Sequence, residues 1–249
     1  MTKNLNEATV HPDKVRPSSA VSRWSMDSSD VSSGVISDSW GSNDGSLNGG
    51  ITTGASGVGG SEAFSFDGSD DYVNVPHSFA STFGSSSFSV SFWFKTSDTS
   101  GNVPIIDNRD ESAGFAGFYS WIIQGYLRIS IDDGSNDEIV YRTTQVVADG
   151  NWHHAVVMRD NDKDSMRILL DGTEAETTAY DPGSPASYGS ISHSKDTQIG
   201  ARYDDSNGSV TSGNSEIDEV RIYSEALSQQ QVWKLYNVGR NANWGFSRS

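Results

Sequence analysis

The sequence predicts an all-β protein, an antiparallel sandwich of the jelly-roll kind, on three observations. Between residues 21 and 223, short segments alternate apolar and polar side chains. Turn dipeptides separate these segments at short intervals, and a single segment, near the C-terminus, has helical periodicity. A period of two places the apolar side chains on one face of a strand. About a dozen such strands without intervening helices pack as two sheets rather than as an α/β fold.

Residues 1–20 are polar, contain Pro12 and Pro17, and have no period. They predict an extended N-terminal arm, followed by one domain at 21–239 and a tail at 240–249. An arm of this composition has no apolar face of its own to bury. When ordered, it adds to a neighbour's sheet edge or lies in a partner's groove. Residues 1–20 are therefore expected to join copies of the chain into a homo-oligomer and a larger assembly. SFSVSFWFK (87–95) places Phe88, Val90, Phe92 and Phe94 on one face. HHAVVMR (153–159), SMRILL (165–170) and EIDEVRIY (216–223) are strands of similar length. Asp171-Gly172, between RILL and TEAETT, predicts a two-residue hairpin, because Asp-Gly suits the positive φ angles of a type I′ turn. SQQQVWKLYNVG (228–239) reads as a helix. Ser228 and Gln231 form a capping box, Val232, Leu235 and Tyr236 form an apolar stripe, and Gly239 is placed to end it. This helix is expected to plug an end or edge of the sandwich.

Composition narrows the function. The chain has 249 residues, 33 acidic against 17 basic, for a formal charge of −16. No stretch approaches ~18 consecutive apolar residues, so no membrane-inserting segment is predicted. The acidic balance argues against nucleic acid as a partner, since phosphates need a basic face. With no cysteine, disulfides, thiolate metal sites and cysteine nucleophiles are all excluded. The 24 Asp outnumber the 9 Glu, and the 11 Arg outnumber the 6 Lys. Self-repulsion of this size nearly vanishes in molar salt, where the Debye length is ~3 Å, so a halophilic host is expected. Residues 1–20 carry no export signal, having no apolar run and no small-residue cleavage site. The expectation is a chain made in the cytoplasm that stays there or leaves by assembly into a particle.

Six segments occur in an order that resembles laminin-G-like jelly-roll domains of the concanavalin A superfamily. They are FSFDGSDDYVNVP (64–76), FSVSFWFK (88–95), NWHHAVVMRD (151–160), RILLDG (167–172), TQIGA (197–201) and IDEVRIYSEALSQQQVWKLY (217–236). DSWGSNDGSL (38–47) is similar to that family's opening strand and aspartate-glycine loop. The resemblance covers about 21–239. It implies two curved antiparallel sheets, a concave face, and rim loops that carry ligands and calcium. It implies no activity, because one fold hosts unrelated functions.

Glucanases of this fold share an acid-x-acid-x-acid run along one strand; here Glu216 and Asp218 fill the first two places, but Val220 fills the third. Retaining hydrolysis needs two carboxyl groups roughly 5–5.5 Å apart, so no enzyme is predicted. No G-x-S-x-G elbow is present. His153 and His154, adjacent on a strand, point to opposite faces and cannot readily share a metal. Calcium wants 6–8 hard oxygen ligands, and three clusters compete for it. Asp38, Asn43 and Asp44 would meet Asp218 if the first and last strands pair. On the expectation that Val220 and Ile222 face the core, Asp218 shares their face and needs a partner there. Asp107, Asn108 and Asp110, with Asp132 and Asp133, sit at the expected rim. Asp160, Asp162 and Asp164 read as a solvated hairpin rather than a calcium loop, because Ser165 stands where the turn glycine would. For ligand binding, GFAGFYSWIIQGYLRIS (114–130) supplies Tyr119, Trp121 and Tyr126, with Asp107 and Asn108 beside them. One face of this segment must enter the core, and the other is free to carry a ligand.

These readings converge on a non-enzymatic recognition and attachment module that binds a host glycan or surface protein. The expected setting is a virion surface, as a turret, spike or fibre subunit of a virus infecting a halophile. Two alternatives stand beside it, a secreted or cell-surface carbohydrate-binding adhesion domain and a purely structural decoration subunit.

Overall fold

The computed structural model describes residues 16–240, apart from 78, 136–137, 182–188 and 205–208. The predicted arm (1–20) and tail (240–249) therefore lie largely outside the described residues. The opening elements are β1 (Ala20–Trp24), β2 (Val31–Ser32), β3 (Val35–Ile36), β4 (Gly45–Asn48), β5 (Thr52–Ser56), β6 (Glu62–Asp67) and β7 (Tyr72–Val75). After a single turn of helix α1 (Ala80–Phe83) come β8 (Phe88–Lys95), β9 (Asn102–Asp110), β10 (Ala116–Ile123), β11 (Tyr126–Asp132) and β12 (Ile139–Thr143). They are followed by β13 (His153–Asp160), β14 (Ser165–Leu170), β15 (Thr173–Glu174), β16 (Thr177–Asp181) and β17 (Thr197–Ile199). The hairpin β18 (Ala201–Asp204) and β19 (Ser209–Ser212), the long β20 (Asn214–Tyr223) and helix α2 (Gln229–Arg240) complete the chain.

Two antiparallel sheets face each other. The eight-stranded sheet runs β15-β14-β13-β8-β20-β6-β5, with β1 also paired to β20; the ten-stranded sheet runs β16-β12-β11-β10-β9-β17-β7-β4-β3-β2. Strict alternation builds the core between them. Phe88, Val90, Phe92 and Phe94 of β8 are fully buried against Phe118, Leu127, Ile129 and Ile131 of the opposite sheet. Full burial of each such side chain stabilises by roughly 1.5–3 kcal/mol relative to exposure. The Asp171-Gly172 hairpin is as expected: Leu170 pairs with Thr173, and both turn residues have positive φ, 49° and 83°. Gln124-Gly125 makes the same turn between β10 and β11, with φ of 54° and 82°.

Two expectations are corrected. In β20, Asp218 pairs with Trp93 and Arg221 with Ser91, so three residues of β20 advance past two of β8. This is a β-bulge, with Glu219 at φ 53°. The extra residue flips the alternation. Ile217, Val220 and Ile222 all enter the core, and Asp218 turns to the outer face of the eight-stranded sheet instead of sharing the face of Val220. The second correction concerns α2. Its capping box forms: Ser228 N donates to Gln231 Oε1 at 2.8 Å, and Gln231 N donates to Ser228 Oγ at 3.3 Å. The helix, however, lies across the outer face of the eight-stranded sheet, with Val232 and Leu235 packed against Val156, Met158, Leu169 and Tyr223. Tyr236 stacks on Trp93, ring centroids 5.6 Å apart. Gly239 does not end the helix; it sits within it, where a Cβ would come 2.6 Å from Trp93 Nε1. A glycine stands there because the helix backbone passes directly over an indole.

Candidate ligand-binding face

With α2 on the eight-stranded sheet, the outer face of the ten-stranded sheet carries the polar and aromatic side chains that its strands turn away from the core. Burial of Val73, Val75 and Ile199 sends Tyr72 and Asn74 of β7 and Gln198 of β17 outward. In β9, Ile105 and Ile106 are both buried, because the register against β10 shifts between Ser120 and Trp121. Beyond that irregularity Asp107 and Arg109 point outward and Asn108 inward.

The outward groups are tightly organised. Arg109 Nε donates to Asp107 Oδ1 at 2.9 Å, and its guanidinium lies 4.0 Å from the centre of the Tyr119 ring. The other face of Tyr119 stacks on Trp121, with centroids 4.4 Å apart and planes 7° from parallel. Arg128 follows at 6.0 Å from Trp121, and Arg142 lies 4.8 Å from the Tyr126 ring. Burial pushes the Asp107 carboxyl above its ordinary range, and the Arg109 charge beside it offsets part of that rise. Burial, with the Asp107 charge nearby, also pushes the Tyr119 hydroxyl up. Tyr119 therefore stays a neutral donor, reaching Asn102 Oδ1 at 3.3 Å.

Beside this stack is a cleft of about 360 Å³ lined by Tyr72, Asn74, Arg109, Ser194, Lys195, Asp196 and Gln198. Gln198 Nε2 donates to Asn74 Oδ1 at 3.1 Å, and Asn74 Nδ2 donates to Asp196 Oδ2 at 2.9 Å. The walls thus present amides, a phenol, a carboxylate and two cations within one volume. That mixture offers hydrogen-bond donors and acceptors in several directions.

The sequence candidates distribute as follows. Asp107, Tyr119, Trp121 and Tyr126 share the outer face, with both faces of Tyr119 already occupied. Asn108 is separated from them: fully buried, it donates to Thr197 Oγ1 at 2.7 Å and meets His193. The cleft residues Tyr72, Asn74, Arg109, Lys195 and Gln198 lie outside the sequence candidates. Alternation alone marks Tyr72, Asn74 and Gln198 as outward, but their convergence depends on β17 inserting between β7 and β9, which no local pattern encodes.

The metal candidates do not converge. β1 pairs with β20 as anticipated, yet the Asp38 carboxylate is taken by backbone donors. Its Oδ1 accepts from Arg23 N at 2.9 Å, Trp40 N at 3.0 Å and Gly41 N at 2.9 Å, and its Oδ2 accepts from Asn43 N at 3.2 Å. Asp44 accepts from Asp38 N at 2.8 Å, and the Asn43 amide donates to Ser22 Oγ at 2.9 Å. Asp218 is elsewhere, under the 57–61 turn, where its Oδ2 accepts from Val58 N at 3.0 Å and Ser61 Oγ at 2.8 Å. Its Oδ1 is buried with no hydrogen-bond partner among the described residues. Burial, reinforced by the charge of Glu219, pushes its pKa up to about 8. The orphaned oxygen, with the charge of Asp27 also acting on it, distinguishes this carboxyl from the saturated Asp38 loop. At the rim, Asp110 caps the turn at 111–113 through Ser112 N and Ala113 N, Asp132 accepts from Gly134 N, and Asp133 from Ser135 N and Gly189 N. Asp160 pairs with Arg167 at 3.0 Å. His153 and His154 point apart, the first held by Asp171 at 2.9 Å and the second by Ser91 at 3.0 Å. Burial lowers the His154 pKa to about 3, so that imidazole is neutral and structural.

Comparison with known proteins bears on the fold. A family model described as the concanavalin A-like lectin/glucanases superfamily matches residues 67–233. Among solved structures, the binding domain of Paraclostridial Mosquitocidal Protein 1 is similar at a TM-score of 0.65 and 16% identity, covering 88% of this chain and 52% of that one. The receptor binding domain of botulinum neurotoxin C/D mosaic serotype gives 0.65 and 14%, covering 88% and 51%. The botulinum neurotoxin serotype D ligand binding domain, solved in complex with N-acetylneuraminic acid, gives 0.62 and 14%, covering 88% and 50%. The chain thus spans about half the length of these domains. No curated protein sequence matches it.

Proposed function

The chain belongs to the concanavalin A-like lectin/glucanase superfamily, and from that premise we propose that it is a non-catalytic recognition module that takes a glycan in the cleft on the outer face of its ten-stranded sheet. The observation that carries this reading is the cleft itself, where Tyr72, Asn74, Gln198 and Lys195 surround about 360 Å³ beside the buried Arg109–Tyr119–Trp121 stack. The stack holds Arg109 in the cleft wall, and the amide pair supplies donors and acceptors at set positions. Its test is a glycan array with the wild type and Gln198→Ala. Binding that falls about tenfold in the variant supports the reading, on the scale of one or two lost hydrogen bonds. Wild-type binding that the variant leaves unchanged removes it.

Catalysis is not part of this function. Glu216 is paired with Lys95 at 3.1 Å, Asp218 is fully buried beneath the 57–61 turn, and Val220 is in the core. Two carboxyl groups cannot flank a sugar there. Calcium is proposed at Asp218 with Asp27, where it would satisfy the orphaned Oδ1 and fix the turn against β20.

The proposed setting is a virion surface, as a turret, spike or fibre subunit of a virus infecting a halophile, with residues 1–20 joining the chain to a homo-oligomer. Support comes from the charge of −16 and from the polar, unpatterned arm. Multiple copies would convert a weak glycan contact into firm attachment through effective concentration. Light scattering in high salt, with and without residues 1–20, tests it. A defined oligomer that becomes a monomer on truncation supports the setting; two folded monomers favour a secreted or cell-surface adhesion domain.

A further inference from the structure

Arg128 of β11 and Arg142 of β12 are direct cross-strand partners on the outer face of the ten-stranded sheet. Like charges directly opposite each other destabilise a sheet unless each is compensated, so the surroundings of each guanidinium matter. This chain has 33 carboxylates for 17 cations, and a guanidinium in such a chain finds a counter-charge easily. Arg109 has Asp107, Arg202 has Glu111, and Arg167 has Asp160 and Glu174. Arg142 is different. Its guanidinium lies over the Tyr126 ring at 4.8 Å, and among the described residues no carboxylate pairs with it and its buried Nε has no hydrogen-bond partner.

We propose that Arg142 and Arg128, with Tyr126 and Trp121, form an anion subsite for a carboxylated or sulfated saccharide, extending the cleft at Arg109 along the same face. The inference rests on the glycan reading of that cleft and adds the ligand class. Trp121 connects to the cleft through its stack on Tyr119, over which lies the cleft residue Arg109. Arg109 has Asp107 at 2.9 Å, whereas no described carboxylate pairs with Arg142, so an anionic group is drawn to the Arg142 end. A guanidinium matches a carboxylate or sulfate with two parallel hydrogen bonds, and an adjacent ring supports the apolar face of a sugar. Bound there, the anion supplies a counter-charge and an acceptor to the Arg142 guanidinium.

The experiment is a glycan array on which sialylated, uronic-acid and sulfated oligosaccharides each stand beside their neutral parents. The full-length wild type, Arg142→Gln, Arg142→Lys and Gln198→Ala are compared at several salt concentrations. The wild type is expected to bind acidic members about tenfold more tightly than their parents, on the scale of one charge-assisted hydrogen bond. Arg142→Gln erases that preference while keeping the neutral binding, and Arg142→Lys retains part of it. Gln198→Ala weakens acidic and neutral members alike. Equal binding of acidic and neutral members overturns the inference, as does a preference that survives Arg142→Gln, with the cleft reading intact if Gln198→Ala still weakens both. An array left blank by the wild type overturns both. A shift in oligomeric mass of Arg142→Gln without loss of glycan binding overturns it in favour of a contact between copies.

Discussion

Glu219 is the single residue whose backbone decides what the last strand offers. By adopting φ 53° it inserts one position into β20 and carries Asp218 out of the core, to the turn at 57–61. The oxygen left without a donor there gives a direct prediction. Calcium raises the melting temperature of the wild type and has no effect on Asp218→Asn, read by thermal unfolding with and without a chelator. Equal shifts in the two proteins would place the ion elsewhere. His153 gives a second prediction at this scale. The hydrogen bond to Asp171, opposed by burial, raises its pKa above the ordinary value of 6.5. A raised pKa contributes stability that is complete below about pH 6.5 and is lost as pH rises through the folded value. His153→Gln is therefore less stable than the wild type at pH 5.5, by about 1 kcal/mol after allowance for the exposed side of Asp149 and Asp171. The gap closes by pH 9. Denaturant unfolding at both pH values checks it, and a gap that widens with pH contradicts the assignment.

Among the elements, α2 shows how a local preference yields to packing. Gly239→Ala raises intrinsic helix propensity by ~1 kcal/mol, yet a Cβ there would meet the indole of Trp93, which is fixed between Tyr236 and the sheet. The variant is expected to lower the urea midpoint, and a raised midpoint would mean that the helix does not lie on Trp93. The same contrast explains what could be read from the chain beforehand. The strands, the Asp171-Gly172 hairpin with positive φ at both residues, and the capping box of Ser228 and Gln231 follow from short-range periods and turn chemistry, so they were legible. The faces of Asp218 and Arg109 were not, because each depends on an irregularity in register, at Glu219 in β20 and at Ile105–Ile106 in β9. A bulge leaves composition and period almost untouched while reversing every side chain beyond it. The aromatic cluster 119–126 was legible as a candidate surface, but the closing of Tyr119 between Arg109 and Trp121 is a cross-strand fact. The cleft itself arises from the order of β7, β17 and β9, strands far apart in the chain.

For the whole molecule, charge dominates. A net −16 on 249 residues repels itself across distances that 0.1 M salt, with a Debye length of ~10 Å, screens only in part. Raising potassium chloride from 0.1 M to 2 M is expected to raise the melting temperature by several degrees, most of it below 1 M, as measured by scanning calorimetry. A flat or falling curve would remove the argument for a high-salt host. Against this acidic background the outer face of the ten-stranded sheet gathers Arg109, Arg128, Arg142 and Lys195, and recognition is assigned there. The most direct test is amide chemical-shift mapping of the protein with the oligosaccharide that binds it most strongly. The account predicts perturbed amides at Tyr72, Asn74, Arg109, Lys195 and Gln198. Shifts confined to α2 or to the 57–61 turn would contradict it.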